Sequence, residues 1–169
     1  MKLLGNSNGR QILYTSVLAD PNWLDNLPTE NWLVFAIGQN EHKSTYIRFA
    51  YKCIDNNVLY LCTAGQDAEI IHDLFDELIV VKKIEKCESV DSPNDFENSP
   101  MTTWHNNFSE GFWFAILNAH HEKKGINKIV CVDFTTKGVR QHLTNLIEKI
   151  NNSWLPSDEE NEEPLYDKG

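Results

Sequence analysis

Apolar residues in this chain fall into two patterns, short unbroken runs and stretches where they recur every three or four positions. These mark buried strands and amphipathic helices respectively. Trp32–Ile37 is the clearest run and is closed by Gly38; an apolar hexapeptide of this kind is expected of a strand covered on both faces. A polar turn over residues 39–43 follows, and Ser44 or Thr45 is placed to cap a helix carrying Ile47, Ala50, Tyr51 and Ile54 on one side. Asp55-Asn56-Asn57 stops it, Val58–Thr63 is the next strand, and Ala64–Asp67 is the turn into a second helix, with Asp67 as its cap. That helix divides into an apolar stripe of Ile70, Ile71, Leu74, Phe75 and Leu78 and an acidic stripe of Glu69, Asp73, Asp76 and Glu77. Three adjoining β-branched residues, Ile79-Val80-Val81, read as a short strand.

Met101–His105 is a further strand, and Asn107 with Glu110 has the spacing of a capping box. Six successive apolar residues, Phe112–Leu117, span more than one helical turn, so this helix should be buried nearly all round until Gly125 ends it. Lys128–Phe134 is the last strand. Thr135 or Thr136 then caps a helix whose core face is Val139, Leu143, Leu146, Ile147, Ile150 and Trp154, and Pro156 closes the folded part. Before all of these, residues 1–30 read as an N-terminal extension with a peripheral strand over Gln11–Leu18 and a turn at Asp20-Pro21-Asn22.

Strands alternating with helices through short loops predict a single layered α/β domain over residues 31–155, Rossmann-like or flavodoxin-like. Its mostly parallel sheet should have four to five strands flanked by helices, with strands 32–37 and 101–105 as central neighbours.

Composition changes this picture little, but charge does. With 169 residues, 41% hydrophobic and 24% charged, the chain is long enough to bury a proper core. The net charge of −10 argues against sequence-independent binding to nucleic acid or anionic lipid. Residues 85–97 and 158–168 together account for nine of those ten charges, so acidity belongs to a loop over residues 87–99, expected to be mobile, and to a disordered tail over 156–169. No apolar run has the length of a signal-peptide core or a membrane span, which predicts a cytoplasmic protein. Cys53, Cys62, Cys87 and Cys131 form no Cys-x-x-Cys pair, as expected of reduced, packed thiols.

The segments Met101-Thr102-Thr103-Trp104-His105 and Glu110-Gly111-Phe112-Trp113-Phe114-Ala115 resemble an uncharacterised family of bacterial proteins. In that family a strand ending V-M-T-T-W-H is followed by an acidic loop and a helix of E-x-F-W-F-A type. The resemblance implies the same strand-helix order from about Trp32 to Phe134 and brings no activity with it. This chain departs from the pattern at Asn106-Asn107, where acids are expected, in a longer acidic loop before Ser99, and in its tail.

In a parallel α/β sheet the loops at the carboxyl ends of the strands gather on one edge. Here they would hold Gly38-Gln39-Asn40, Thr63–Asp67, Trp104–Asn107 and Asp133–Thr136. A catalytic site would use His105 paired with Asp133, helped by Gln39, with Thr63, Thr102 or Thr103 as a hydroxyl or Cys62 as a thiol. Against it stands His105 as a backbone-bonded loop residue beside a packed Trp104. A ligand site would use Thr103, Trp104, His105, Thr135 and Thr136, and an anion could meet the helix start at Thr135–Arg140 with Lys137; ordinary capping explains the same residues. No glycine-rich phosphate motif occurs, so no cofactor is expected. His120 and His121 diverge on a helix and no H-E-x-x-H or cysteine cluster exists, so no metal is expected either.

The acidic stripe Glu69, Asp73, Asp76 and Glu77 could engage a basic protein, the alternative being a solvated helix face. The lack of a complete catalytic signature favours binding over catalysis. The expectation is a small acidic cytoplasmic protein-binding domain: an inhibitor, immunity protein or accessory subunit of a bacterial conflict system. A Rossmann-like enzyme or nucleotide-binding domain is the alternative.

Overall fold

Three parallel strands that have almost no polar residue form the centre of the molecule. The computed structural model describes residues 1–39, 43–86 and 99–156. Its elements in chain order are β1 (Lys2–Ser7), β2 (Arg10–Ser16), β3 (Trp32–Gly38), α1 (Lys43–Asp55), β4 (Tyr60–Gly65), α2 (Ala68–Glu85), β5 (Met101–Trp104), α3 (Phe108–Leu117), β6 (Lys128–Asp133) and α4 (Arg140–Asn151). They build a layered α/β fold around one sheet of order β1-β2-β6-β3-β4-β5. All neighbours are parallel except β1 and β2. The expected acidic loop over 87–98, the tail from 157 on, and Asn40 lie outside the described residues.

The sheet has six strands rather than four to five. The extra one is β1, joined to β2 by Asn8-Gly9, with φ of 49° and 72°. Two successive left-handed residues make the tight turn whose twist matches a hairpin, and Asn-Gly is the dipeptide that adopts it most readily.

β3 and β5 are not neighbours: β4 lies between them, and β5 forms the outer edge. Short crossovers place β4 beside β3 and β5 beside β4, and the chain then returns over α3 to the other side of β3 to lay down β6. The edge position agrees with a strand of four residues whose two ends, Met101 and Trp104, are exposed.

Alternation along β3 divides the core in two. Leu33, Phe35 and Ile37 face the layer of α3 and α4, whereas Trp32, Val34 and Ala36 face the layer of α1 and α2. All seven residues of β3 are buried, so a single polar substitution there has no face on which to reach water.

The helices depart from expectation in four places. The fully buried positions of α1 are Tyr46, Phe49, Ala50 and Cys53, with Ile47, Tyr51 and Ile54 only partly covered. α2 continues unbroken through Ile79-Val80-Val81, because Ile79 extends the buried line of Ile71, Leu74, Phe75 and Leu78; packing of that line overrides β propensity. Ile70 falls off the stripe and is 51% exposed. α3 stops at Leu117 rather than near Gly125, and is open on the side of Glu110 and Leu117.

The end of α3 has a specific cause. The Arg10 guanidinium donates to the carbonyls of Ala115 and Ala119, each at 2.6 Å, and Asn8 donates to that of Ile116 at 3.0 Å. A cation forked onto the last carbonyls satisfies acceptors that a helix end leaves open and sits at the negative pole of the dipole. The N-terminal hairpin thereby fastens the helix on which half the core rests. Among the described residues no helix is long and apolar enough to cross a membrane.

Candidate functional site

The carboxyl ends of the strands, where an α/β sheet usually offers its ligand site, are closed by two buried tyrosine–aspartate pairs. Asp133 at the end of β6 is fully buried and accepts from the Tyr14 hydroxyl at 2.6 Å. Asp67 before α2 is 8% exposed and accepts from the Tyr46 hydroxyl at 2.7 Å. Asp67 was expected to cap α2 through its side chain, but makes no such bond; its carboxylate is turned onto Tyr46 instead. Gly38, between the pairs in the sheet, has no room for a side chain, since a Cβ there would come within 2.6 Å of Ile71 and 3.0 Å of Asp67.

Asp133 also explains the loop that follows β6. Its Oδ1 accepts from the Thr135 N–H at 2.8 Å and its Oδ2 from the Val139 N–H at 3.0 Å. The Thr135 hydroxyl oxygen accepts from the Gly138 N–H at 3.1 Å. Three of the backbone donors that an anion at Thr135–Arg140 would use are thus already taken, two by the Asp133 carboxylate and one by the Thr135 hydroxyl. Thr135 is 1% exposed while Thr136 projects to solvent, and neither caps the helix, whose first residue is Arg140. Burial, and next the bond and charge of Asp133, push the Tyr14 phenol well above its ordinary pKa, so it stays a donor across the physiological range.

The structure does not bring His105 and Asp133 together. β4 and β3 lie between the strands that carry them, a separation of about 14 Å at the usual strand spacing. His105 instead continues the β4–β5 ladder, its N–H donating to the Thr63 carbonyl at 2.9 Å. Its ring lies 5.1 Å from that of Phe114 and above Gly111, where a Cβ would stand 2.8 Å from His105 Cβ. Burial lowers its pKa, against a smaller opposing pull from Glu110, so the imidazole is neutral at pH 7. Its Nε2 is 3.3 Å from the Thr103 hydroxyl, which in turn is 3.5 Å from Cys62 Sγ. Burial pushes that thiol up to about 12, which removes it as a nucleophile.

Thr103 and His105 are therefore adjacent, Trp104 points outward at 40% exposure, and Thr102 donates to Asp76 at 2.6 Å. Gln39 follows β3, next to the end of β6, and its side-chain Oε1 is buried with no hydrogen-bond partner. Among the described residues no cluster of three or more histidines, cysteines and acids is arranged to hold a metal ion.

A different surface carries its charged groups in the open. Glu69, Asp73, Asp76 and Glu77 all lie exposed on α2, with Asp73 and Asp76 flanking His72 at 3.1 and 3.7 Å. Ile70, Val80, Val81 and Ile84 are exposed on the same helix, and Met101 and Trp104 on the adjoining edge strand. Between helix and strand runs a shallow cleft of about 270 Å³, lined by Asp76, Val80 and Met101 among others. The sequence pattern missed the four aliphatic residues of α2: Ile70 was assigned to a core stripe, Val80 and Val81 to a strand, and Ile84 to neither. Their signal was available, since Ile70, Glu77 and Ile84 repeat at seven residues and share a helix face.

No curated protein sequence matches the chain. A family model does: residues 12–150 match the domain of unknown function DUF7684, and the chain belongs to that family, whose function is unknown.

Proposed function

We propose that this chain is a small cytoplasmic protein-binding domain, and that α2 with the edge strand β5 is its docking face. One observation carries the reading. Of the ten large apolar side chains exposed among the described residues, Ile70, Val80, Val81, Ile84, Met101 and Trp104 gather at this corner, interleaved with Glu69, Asp73 and Glu77. Apolar anchors inside an acidic rim suit a partner with a basic, partly apolar surface. An inhibitor, immunity or accessory role in a bacterial conflict system fits such a partner, since basic nucleic-acid-cleaving proteins are held by acidic surfaces of this type.

The test uses the full chain as bait with two variants, Val80→Asp/Ile84→Asp at the corner and Leu3→Asp on the opposite edge. The expected result is a basic protein retained by the wild type and by Leu3→Asp, lost with the double variant, and binding again as a purified protein. Retention by all three would remove this surface from consideration. Concentration-dependent dimers in light scattering that vanish only in the double variant would make the partner a second copy.

A second reading is supported by Gln39. The parallel strands run in the order β5-β4-β3-β6-β2 with their direction of succession reversing beside β3, which supports a Rossmann-like assignment, and ligands of such folds sit at that reversal. Gln39 follows β3 there, with a buried acceptor unpaired. A small ligand donating to Gln39 Oε1 would make this a binding domain or enzyme. Native mass spectrometry of the purified chain decides, since a co-purified small molecule lost on Gln39→Leu is what this reading requires.

A further inference from the structure

At the end of the sheet opposite the two tyrosine–aspartate pairs lies a cavity of about 380 Å³, walled by the last turns of α2, the end of α1 and the residues leading into β4 and β5. Among the described residues its wall contains Lys82, Lys83, Lys86 and Lys124 and no carboxylate. Outside residues 85–97 and 158–168 the chain is nearly neutral, so four lysines on one wall are a local concentration of positive charge. We propose that this cavity binds a small phosphorylated molecule carrying two or more negative charges.

Two ordinary duties of lysine account for part of the cluster. Cations at a helix C-terminus answer the negative pole of the dipole, about half a charge per helix, and both α1 and α2 end here. Lys82 is further committed to Asp55 at 2.8 Å and to the face of Tyr51. Lys86 shares the first duty as the residue capping α2, and Lys124 has neither; among the described residues no carboxylate pairs with either. They come from distant parts of the chain to one cavity, and both are exposed, so their ammonium groups are available without disturbing the core.

The remainder of the wall suits the rest of such a molecule. Ile54, Val58, Ile79 and Pro100 present an apolar side against which an organic body can lie, and the volume is in the range of small-molecule sites. Lysines act on phosphate as point charges that need no fixed geometry, which fits a site defined by charge count rather than by a glycine-rich loop. The cavity adjoins the cleft between α2 and β5, with which it shares Ile79, Ser99 and Pro100, but its lysines are no part of that cleft.

The test is calorimetric titration of the full chain with inorganic pyrophosphate and with a nucleoside diphosphate. Saturable one-to-one binding of either is expected, weakened at least tenfold in Lys86→Gln/Lys124→Gln and unchanged in Lys2→Gln, which lies on the far edge strand. A nucleoside diphosphate binding more tightly than pyrophosphate would report use of the apolar side. No saturable binding by the wild type overturns the proposal, as does equal weakening in Lys2→Gln. Binding that emerges only when Glu88, Asp91, Asp95 and Glu97 are all made neutral also overturns it, since those carboxylates of the chain would then be what the lysines serve.

Discussion

Tyr14 and Asp133 meet at 2.6 Å across adjacent strands although 119 residues separate them in sequence. The bond holds three things at once: the end of β6, the turn into α4, and the N-terminal hairpin. Replacing Tyr14 by Phe keeps the ring and removes one donor to a buried carboxylate, which should cost about 1.5–3 kcal/mol. Asp133→Asn should cost more, because its amide would present donors to the Val139 N–H. Urea denaturation checks both, and the double variant should lose less than the two single losses combined, since the two share one interaction.

Alkaline sensitivity is the second expectation. Burial holds the thiols of Cys53, Cys62 and Cys131 above their ordinary range, Cys62 at about 12. A raised pKa means that the unfolded chain loses its thiol protons first, from about pH 8.5. The stabilisation is therefore complete below that pH and is lost as pH rises towards 12, by at most about 1.4 kcal/mol per pH unit for each thiol. Urea midpoints at pH 8 and pH 10 measure it; equal midpoints would contradict the assignment. The same three thiols should resist alkylation at pH 8 until the protein unfolds.

Arg10→Ala should release the carboxyl end of α3. Two charge-assisted bonds to the Ala115 and Ala119 carbonyls disappear, at a cost of about 1.5–3 kcal/mol for the pair after relaxation. Arg10→Lys should recover only part of this, because one ammonium cannot span two carbonyls as a planar fork does. Faster hydrogen exchange at the Asn118 and Ala119 amides, with little change in β3, is the signature to look for.

Gly111→Ala tests how closely α3 and β5 approach. The new methyl would stand 2.8 Å from His105 Cβ and 3.0 Å from its Cγ, atoms too near the backbone to swing aside. A loss of about 1–3 kcal/mol is expected, with a displaced His105 ring resonance in NMR. A neutral outcome would mean that the helix can slide on the sheet.

What the sequence disclosed follows from how local each signal is. β3, β4 and β6 were legible because burial on both faces leaves an unbroken apolar run in the sequence itself. The Asn107 cap was legible too, and its side chain does accept from the Glu110 N–H at 2.8 Å. Strand order was not, since which strand lies beside β3 depends on where each crossover returns. β1 was passed over because only Ser7 in it is buried and its leucines are adjacent rather than alternating, although Asn8-Gly9 carried the turn. At the carboxyl edge, Asp133 was picked out by position alone; its partner Tyr14 leaves no trace near it in sequence. The cavity lysines are similarly split, three being grouped at the end of α2, two within it and Lys86 as its cap, and the fourth, Lys124, brought in only by the fold.

β2 has β1 on one side and β6 on the other, and Tyr14 pairs with Cys131 in register. During synthesis the hairpin is therefore made before any other described element, yet Ile12 and Tyr14 have no sheet to join until Lys128–Asp133 has emerged. Closing so long a loop is slow relative to forming the local β3-α1-β4 unit. The earliest-made piece of the fold is thus placed last, and a chain stopped at Asn127 should be cut by protease first within residues 2–16.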